Sequence, residues 1–276
     1  MIPNTLSIAG LDPSGGAGIL ADVKTMSALG AYGMAVIAAL TAQNTRAVTG
    51  ILPVSPAFVA EQIDTLFADV RVDAVKIGML GQEGVTIAVA ERLTHWKPAH
   101  IVLDPVMIAK SGDHLLERRA VDALREALLP LAGILTPNLP EAGVLLGQSP
   151  ADNLKDMRRV AERLRRLLSD EDDRWVFLKG GHLPGDDTID ILHNGDRLIE
   201  LPGRRIQTNS THGTGCTLSA ALAALLPRTG DVPEAARQAK DYLVQAIAHA
   251  DTLSVGSGHG PVQHFHAWWP RAGRQP

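Results

Sequence analysis

Short apolar segments of strand length alternate with amphipathic stretches along this chain, and that alternation restricts the fold to a mostly parallel sheet covered by helices. The strand segments are residues 5–9, 33–40, 74–77, 101–103, 133–135 and 175–178. Val59, Ile63, Leu66 and Phe67 share one face of a helix over 56–69, and Val121, Leu124 and Leu128 do so within 117–129. Val160, Leu164, Leu167 and Leu168 mark a third helix, with Asp152 and Asn153 as candidate caps. Beyond residue 178 the pattern changes to two short strands, 187–193 and 197–201, joined by the hairpin signal Asn194-Gly195-Asp196, and two helices follow. No repeat or low-complexity linker interrupts residues 1–276, which read as a single domain. The charged run 169–174 reads as a solvated loop.

Charge narrows the function classes. With 26 basic against 30 acidic residues and a formal net charge of −4, the chain has no basic excess to attract nucleic acid or an anionic membrane. The apolar runs are too short and too interrupted to span a bilayer. One cysteine cannot form an internal disulfide, and the first residues lack the charged and apolar regions of a secretory signal, so a reducing cytoplasm is expected. Small-molecule chemistry is the expectation that remains.

The most informative turn is Thr211-His-Gly-Thr-Gly-Cys216, directly before the apolar stretch 217–226. Two glycines let the backbone fold back, and the amides that open the following helix form an anion hole suited to a phosphoryl group in flight. Gly213, Thr214 and Gly215 supply that backbone. Cys216 shares the turn, where the helix terminus should favour its thiolate and make it a base or a nucleophile. A small buried hydrophobe is the plainer role for a lone cysteine.

Other polar residues follow strand ends, where open α/β sheets place their ligands. Residues 9–18 form a glycine-rich loop that is neither a Walker-type phosphate loop nor a dinucleotide fingerprint. It can serve as a tight turn or as a backbone wall against a flat ligand, with Asp22 one turn into the next helix. Lys179 can reach a phosphate as a point charge or simply cap its strand. Asp104 and Glu141 suit Mg²⁺, or a turn and a helix cap. His264 and His266 would share one face of an extended segment, but no further ligand joins them. Residues 259–269 are therefore expected to be a tail packed down by Phe265, Trp268 and Trp269.

Taken together, segments 9–18, 28–33, 42–45, 76–79, 103–107, 109–113, 136–141, 179–182, 211–219 and 260–269 resemble the ribokinase-like superfamily and, within it, the hydroxymethylpyrimidine/phosphomethylpyrimidine kinases of thiamine biosynthesis. The resemblance runs over nearly the whole chain. It implies a three-layer α/β/α fold with a mostly parallel central sheet and a small β addition over the substrate site. It also implies ATP-dependent phosphorylation of 4-amino-5-hydroxymethyl-2-methylpyrimidine, then of its monophosphate.

By the same resemblance, Gln43 would hydrogen-bond the aminopyrimidine, with Gly10, Ala17, Asp22, Met79 and Val106 around the ring. Lys179 and Thr211 would meet the nucleotide, Asp104 and Glu141 would place Mg²⁺, and Gly213–Gly215 would form the anion hole. ATP is then the co-substrate, a monovalent cation can assist, and the chain is expected to be a homodimer. The wider superfamily carries Asp where this chain has Cys216, a departure that matches the pyrimidine kinase branch. Independently of family, a planar pyrimidine needs an amide that donates and accepts together, as Gln43 does, between apolar walls such as Met79 and Val106. Two alternatives share these residues: a kinase for pyridoxine or pyridoxal, whose rings also carry hydroxymethyl groups, and a ligand sensor that keeps the pocket without catalysis.

Overall fold

The computed structural model describes residues 1–107, 118–170 and 173–269. Residues 109–113 of the resemblance lie outside them, as do residue 117 of the second expected helix and residues 171–172 of the charged run.

The apolar segments become strands β1 (Asn4–Leu11), β2 (Tyr32–Gln43), β4 (Ala74–Ile77), β5 (Ile101–Leu103), β6 (Ile134–Leu135) and β7 (Trp175–Leu178). All six run parallel to their neighbours, in the order β2-β1-β4-β5-β6-β7. Antiparallel strands complete both edges. β3 (Val48–Pro53) pairs with the outer half of β2, and the hairpin of β8 (Asp187–His193) and β9 (Leu198–Arg204) extends the other side from β7.

Two features depart from the sequence reading. β2 continues past residue 40 to Gln43, and β3 was not anticipated, because Val48–Pro53 is largely exposed and lacks alternation between a wet and a dry face. Together they make the small β addition, a ribbon continuous with the main sheet.

The helices are α1 (Gly18–Ala28), α2 (Pro56–Phe67), α3 (Glu83–Trp96), α4 (Arg118–Ala123), α5 (Leu139–Leu146), α6 (Leu154–Arg165), α7 (Thr214–Thr229) and α8 (Val232–Ala248). Four of them begin where a short polar side chain satisfies a free amide. Ser55, Asn138, Asn153 and Asp231 each accept from the N–H three residues on, the last three at 2.7–2.9 Å. After α4 the chain widens into one π-helical stretch, Leu124–Leu128, and tightens into a 3-10 turn, Leu129–Leu131. Pro130 explains the ending, since it offers no amide to continue an α-helix.

Strand pleating sorts the core into two layers. On one face, Val59 and Ile63 of α2, Val89 of α3 and Met157 of α6 join Leu6, Ile8, Val75 and Ile77 of the sheet. On the other, Leu218 and Leu222 of α7 and Ala239 of α8 join Ala74, Val102, Trp175 and Phe177. α1 completes that second layer by packing Met26 against Ala220 and Ala224 of α7.

The tail is held differently from the expectation. Val262 and His264 are buried, while Trp268 and Trp269 are largely exposed. Two hydrogen bonds account for this: the Thr217 hydroxyl lies 3.2 Å from His264 Nε2, and Tyr242 Oη donates to the His264 carbonyl at 2.7 Å. Phe265 stacks on Trp269, so the aromatic rings cover one another more than they cover the core.

Candidate active site

The carboxyl ends of the parallel strands converge on one cavity of about 400 Å³. β1 brings Gly10, Leu11 and Asp12; β2 brings Thr41 and Gln43; β4 is followed by Met79, β5 by Val106 and Met107. Glu141 enters from the start of α5, and Thr211 to Cys216 close the far wall. A parallel sheet presents all such loops on one side, so residues distant in sequence share one rim.

The turn before α7 has the geometry of an anion hole. Gly213 caps the helix with φ +77° and no side chain bonds the terminus; the first intrahelical bond runs from Thr217 N–H to the Gly213 carbonyl at 2.8 Å. The amides of Thr214, Gly215 and Cys216 therefore precede the hydrogen-bonded ladder at the positive end of a 16-residue helix. Close approach demands glycine at 213 and leaves little room at 215. A Cβ on Gly213 would stand 1.8 Å from the Gly16 carbonyl oxygen, and one on Gly215 would stand 3.2 Å from Lys179 Nζ.

Asp12 organises the glycine-rich loop beside it. Its carboxylate accepts from Ser14 N–H at 2.8 Å and Ala17 N–H at 3.0 Å, and meets His212 Nε2 at 2.7 Å. Burial pushes the Asp12 pKa up, but the bonds from His212 and Ser14 prevail and hold it below the ordinary value. His212 is in turn fixed by its own amide, which donates to the Gly260 carbonyl at 3.0 Å.

Lys179 stands behind Gly215, 3.0 Å from Asp104 Oδ1 and 3.8 Å from Glu141 Oε2. Burial alone would lower its pKa, but the two carboxylates raise it, so the ammonium keeps its charge. Asp104 is engaged on both oxygens, by Lys179 and Thr136 on Oδ1 and by Ser219 on Oδ2. Burial works to raise its pKa, and Lys179 with Lys76 overcomes that and keeps it a carboxylate. Glu141 forms a capping box with Asn138, its Oε2 accepting Asn138 N–H at 2.8 Å. Burial pushes Glu141 up to about 7, against the pull of Lys179.

Among the described residues no group of three or more His, Cys, Asp or Glu side chains could hold a metal ion by itself. The donors present fit a hard cation bound chiefly through phosphate oxygens and water, with one carboxylate, as Mg²⁺ prefers. Glu141 reaches the cavity and meets that requirement. Neither Asp104 nor Lys179 is part of the cavity wall: Lys179 stands behind Gly215, and Asp104 holds its ammonium there.

The remaining sequence candidates divide clearly. Gln43, Gly10, Ala17, Met79, Val106, Thr211, Gly213, Thr214, Gly215 and Cys216 all line the cavity. Gln43 Oε1 accepts from Thr41 Oγ1 at 3.0 Å, which orients the amide. Asp22 does not line it. The α1 helix turns Asp22 inward, where it is fully buried and bound to Lys76 Nζ at 2.8 Å and Ser7 Oγ at 2.6 Å, so the expectation of a carboxylate beside a ring is corrected.

The expected thiolate also needs correction: burial pushes the Cys216 thiol up to about 11, opposed by Lys76 and by a hydrogen bond from Gly18 N–H. Desolvation outweighs the helix terminus. The sequence reading missed Asp12, His212 and Lys76. A lysine inside a four-residue apolar strand was the signal that could have revealed the last of them.

An anion hole at a helix start, a buried lysine behind it and an amide-bearing cavity beyond a parallel sheet fit a ribokinase-like small-molecule kinase, the class that the comparisons show. A family model described as phosphomethylpyrimidine kinase matches residues 12–263. The chain is 52% identical over 266 residues to a hydroxymethylpyrimidine/phosphomethylpyrimidine kinase of Escherichia coli K12, covering 96% of this chain and 98% of that protein. It is 40% identical to the like-named protein of Bacillus subtilis, over 96% and 95% of the two chains. Crystallographic phosphomethylpyrimidine kinase of Clostridium difficile 630 superposes with a TM-score of 0.78 at 41% identity, over 90% of this chain and 100% of that one. Pyridoxal kinase of Staphylococcus aureus in complex with ADP superposes with a TM-score of 0.87 at 31% identity, over 97% and 95%. The chain belongs to the phosphomethylpyrimidine kinase family.

Proposed function

We propose that this chain transfers the terminal phosphoryl group of ATP to the hydroxymethyl group of 4-amino-5-hydroxymethyl-2-methylpyrimidine, and then a second one to the resulting monophosphate, within thiamine biosynthesis. One observation carries the reading: the uncapped start of α7 and Cys216 open into the same cavity as Gln43. Phosphoryl transfer asks little covalent chemistry of a protein and much alignment.

In this reading the amides of Thr214, Gly215 and Cys216 meet the charge that grows on the transferring group, and Lys179 and Thr211 hold the nucleotide phosphates. Gln43 donates to and accepts from the aminopyrimidine, between Met79 and Val106. Cys216 first gives its thiol proton to solvent, and the thiolate so formed takes the substrate O–H proton as the oxygen bonds to phosphorus and the bond from phosphorus to ADP breaks, which restores the thiol. When bound, Mg²⁺ neutralises phosphate charge, and Glu141 is the carboxylate that would hold it. The reading extends to a homodimer in the cytoplasm, with a monovalent cation as an accessory to the nucleotide. Among the described residues no helix is long and apolar enough to cross a membrane.

The test is incubation with ATP and the pyrimidine alcohol, with monophosphate and diphosphate products separated. Formation of both supports the reading, and ATP consumption independent of the pyrimidine removes it. Light scattering decides the dimer. The close superposition on pyridoxal kinase favours a second reading, pyridoxal as main or side substrate. Competing the two alcohols and comparing kcat/KM ranks them.

A further inference from the structure

Lys76 is a charged residue inside a buried four-residue strand, and the pleat decides where it points. Val75 and Ile77 of β4 join the core layer beneath α2 and α3, so Ala74 and Lys76 face α1 and α7 instead. The Lys76 side chain is fully buried. Among the described residues its ammonium has one hydrogen-bond acceptor, Asp22 Oδ2 at 2.8 Å, and Asp22 is fully buried as well. Among the described residues Asp22 Oδ1 accepts no hydrogen bond, so the ammonium is the main group holding this carboxylate. With water excluded around the pair, its ammonium acts strongly on any other group buried beside it.

The neighbour that can become an anion is Cys216. Lys76 stands one residue before the carboxyl end of β4, on the face that packs against α7, and Cys216 lies in the first turn of that helix, so ammonium and sulfur act on each other electrostatically. The other charged groups that face Cys216 are Asp22 from α1, Asp104 after β5 and Lys179 after β7. His212 is turned to Asp12. Space for the ammonium is kept by Gly78, where a Cβ would stand 2.7 Å from Lys76 Nζ.

We propose that Lys76 is a positioning residue for phosphoryl transfer: it never meets the substrate, but its ammonium stabilises the negative charge on the Cys216 sulfur, while Asp22 anchors that ammonium. The inference rests on the reading of Cys216 as proton acceptor, but its test needs no substrate. Cys216 is the sole cysteine, so iodoacetamide labels one site.

Alkylation of the folded protein, followed across pH, reports the thiolate fraction. Lys76→Met should slow alkylation ~10-fold or more at mildly alkaline pH and displace the profile upward, since one pKa unit changes that fraction tenfold. Its kcat should fall while the KM for ATP holds. Asp22→Asn should speed alkylation, because it removes the carboxylate that competes for the ammonium. Simple loosening of the buried pair would speed both. Equal or faster alkylation in Lys76→Met, or equal or slower alkylation in Asp22→Asn, overturns the proposal. If Lys76→Met does not fold, Lys76→Gln, which keeps a hydrogen-bond donor to Asp22 without the charge, takes its place and should also slow alkylation. Full turnover in Cys216→Ala would instead defeat the catalytic reading and leave the alkylation shifts standing.

Discussion

At the scale of single residues, the site is a set of charges whose burial sets their protonation. Cys216 is a thiol at rest, and its titration near 11 means that alkylation should climb steadily through alkaline pH with no plateau near neutrality. Replacing it with alanine should lower turnover by ~10² or more and leave nucleotide affinity largely intact, measured by steady-state rates beside calorimetric binding. Glu141 gives a pH-dependent stability of determinate sign. Its folded pKa of about 7 lies above the ordinary 4.5, so the folded state holds this proton more tightly. The stability it adds is complete below about 4.5 and is lost as pH rises through 7. Glu141→Gln should therefore melt higher than the parent at pH 8 and match it near pH 4.5, in paired thermal melts.

At the scale of elements, the start of α7 carries the most sequence-specific demand. Gly213→Ala meets both a left-handed backbone, which costs about 1–2 kcal/mol for a residue with a Cβ, and the Gly16 carbonyl in its path. The expected outcome is loss of nucleotide binding with the sheet preserved, seen by calorimetry and far-ultraviolet dichroism. At the start of α5, Asn138→Ala removes a capping box and should cost about 1 kcal/mol in denaturant unfolding.

Elements were legible where periodicity and caps coincide: β4, β5 and β7 fall on the expected residues, and Asn153 caps α6 as anticipated. β3 was invisible because an exposed edge strand has no buried face to write a pattern. Thr211 to Cys216 and Gln43 were readable as motifs, and the structure brings them to one cavity. Asp22 misled because helix position alone does not say whether a side chain faces the cavity or the core. The protonation of Cys216 was beyond reach, since it depends on desolvation by residues distant in sequence.

For the molecule as a whole, binding and folding are linked through the cavity. A nucleotide that binds the folded state alone stabilises it by about 2.7 kcal/mol at 100 times its Kd. ATP analogue should raise the melting temperature of the parent and leave Gly213→Ala unchanged. Assembly of that cavity draws on both ends of the described chain. Thr45, at the tip of the ribbon, binds Gly258 N–H across a separation of 213 residues, and the Gly260 carbonyl secures His212 beside the helix start. Every described strand ends by residue 204, so truncation before residue 258 should leave the sheet paired while unlatching the ribbon from the phosphate turn.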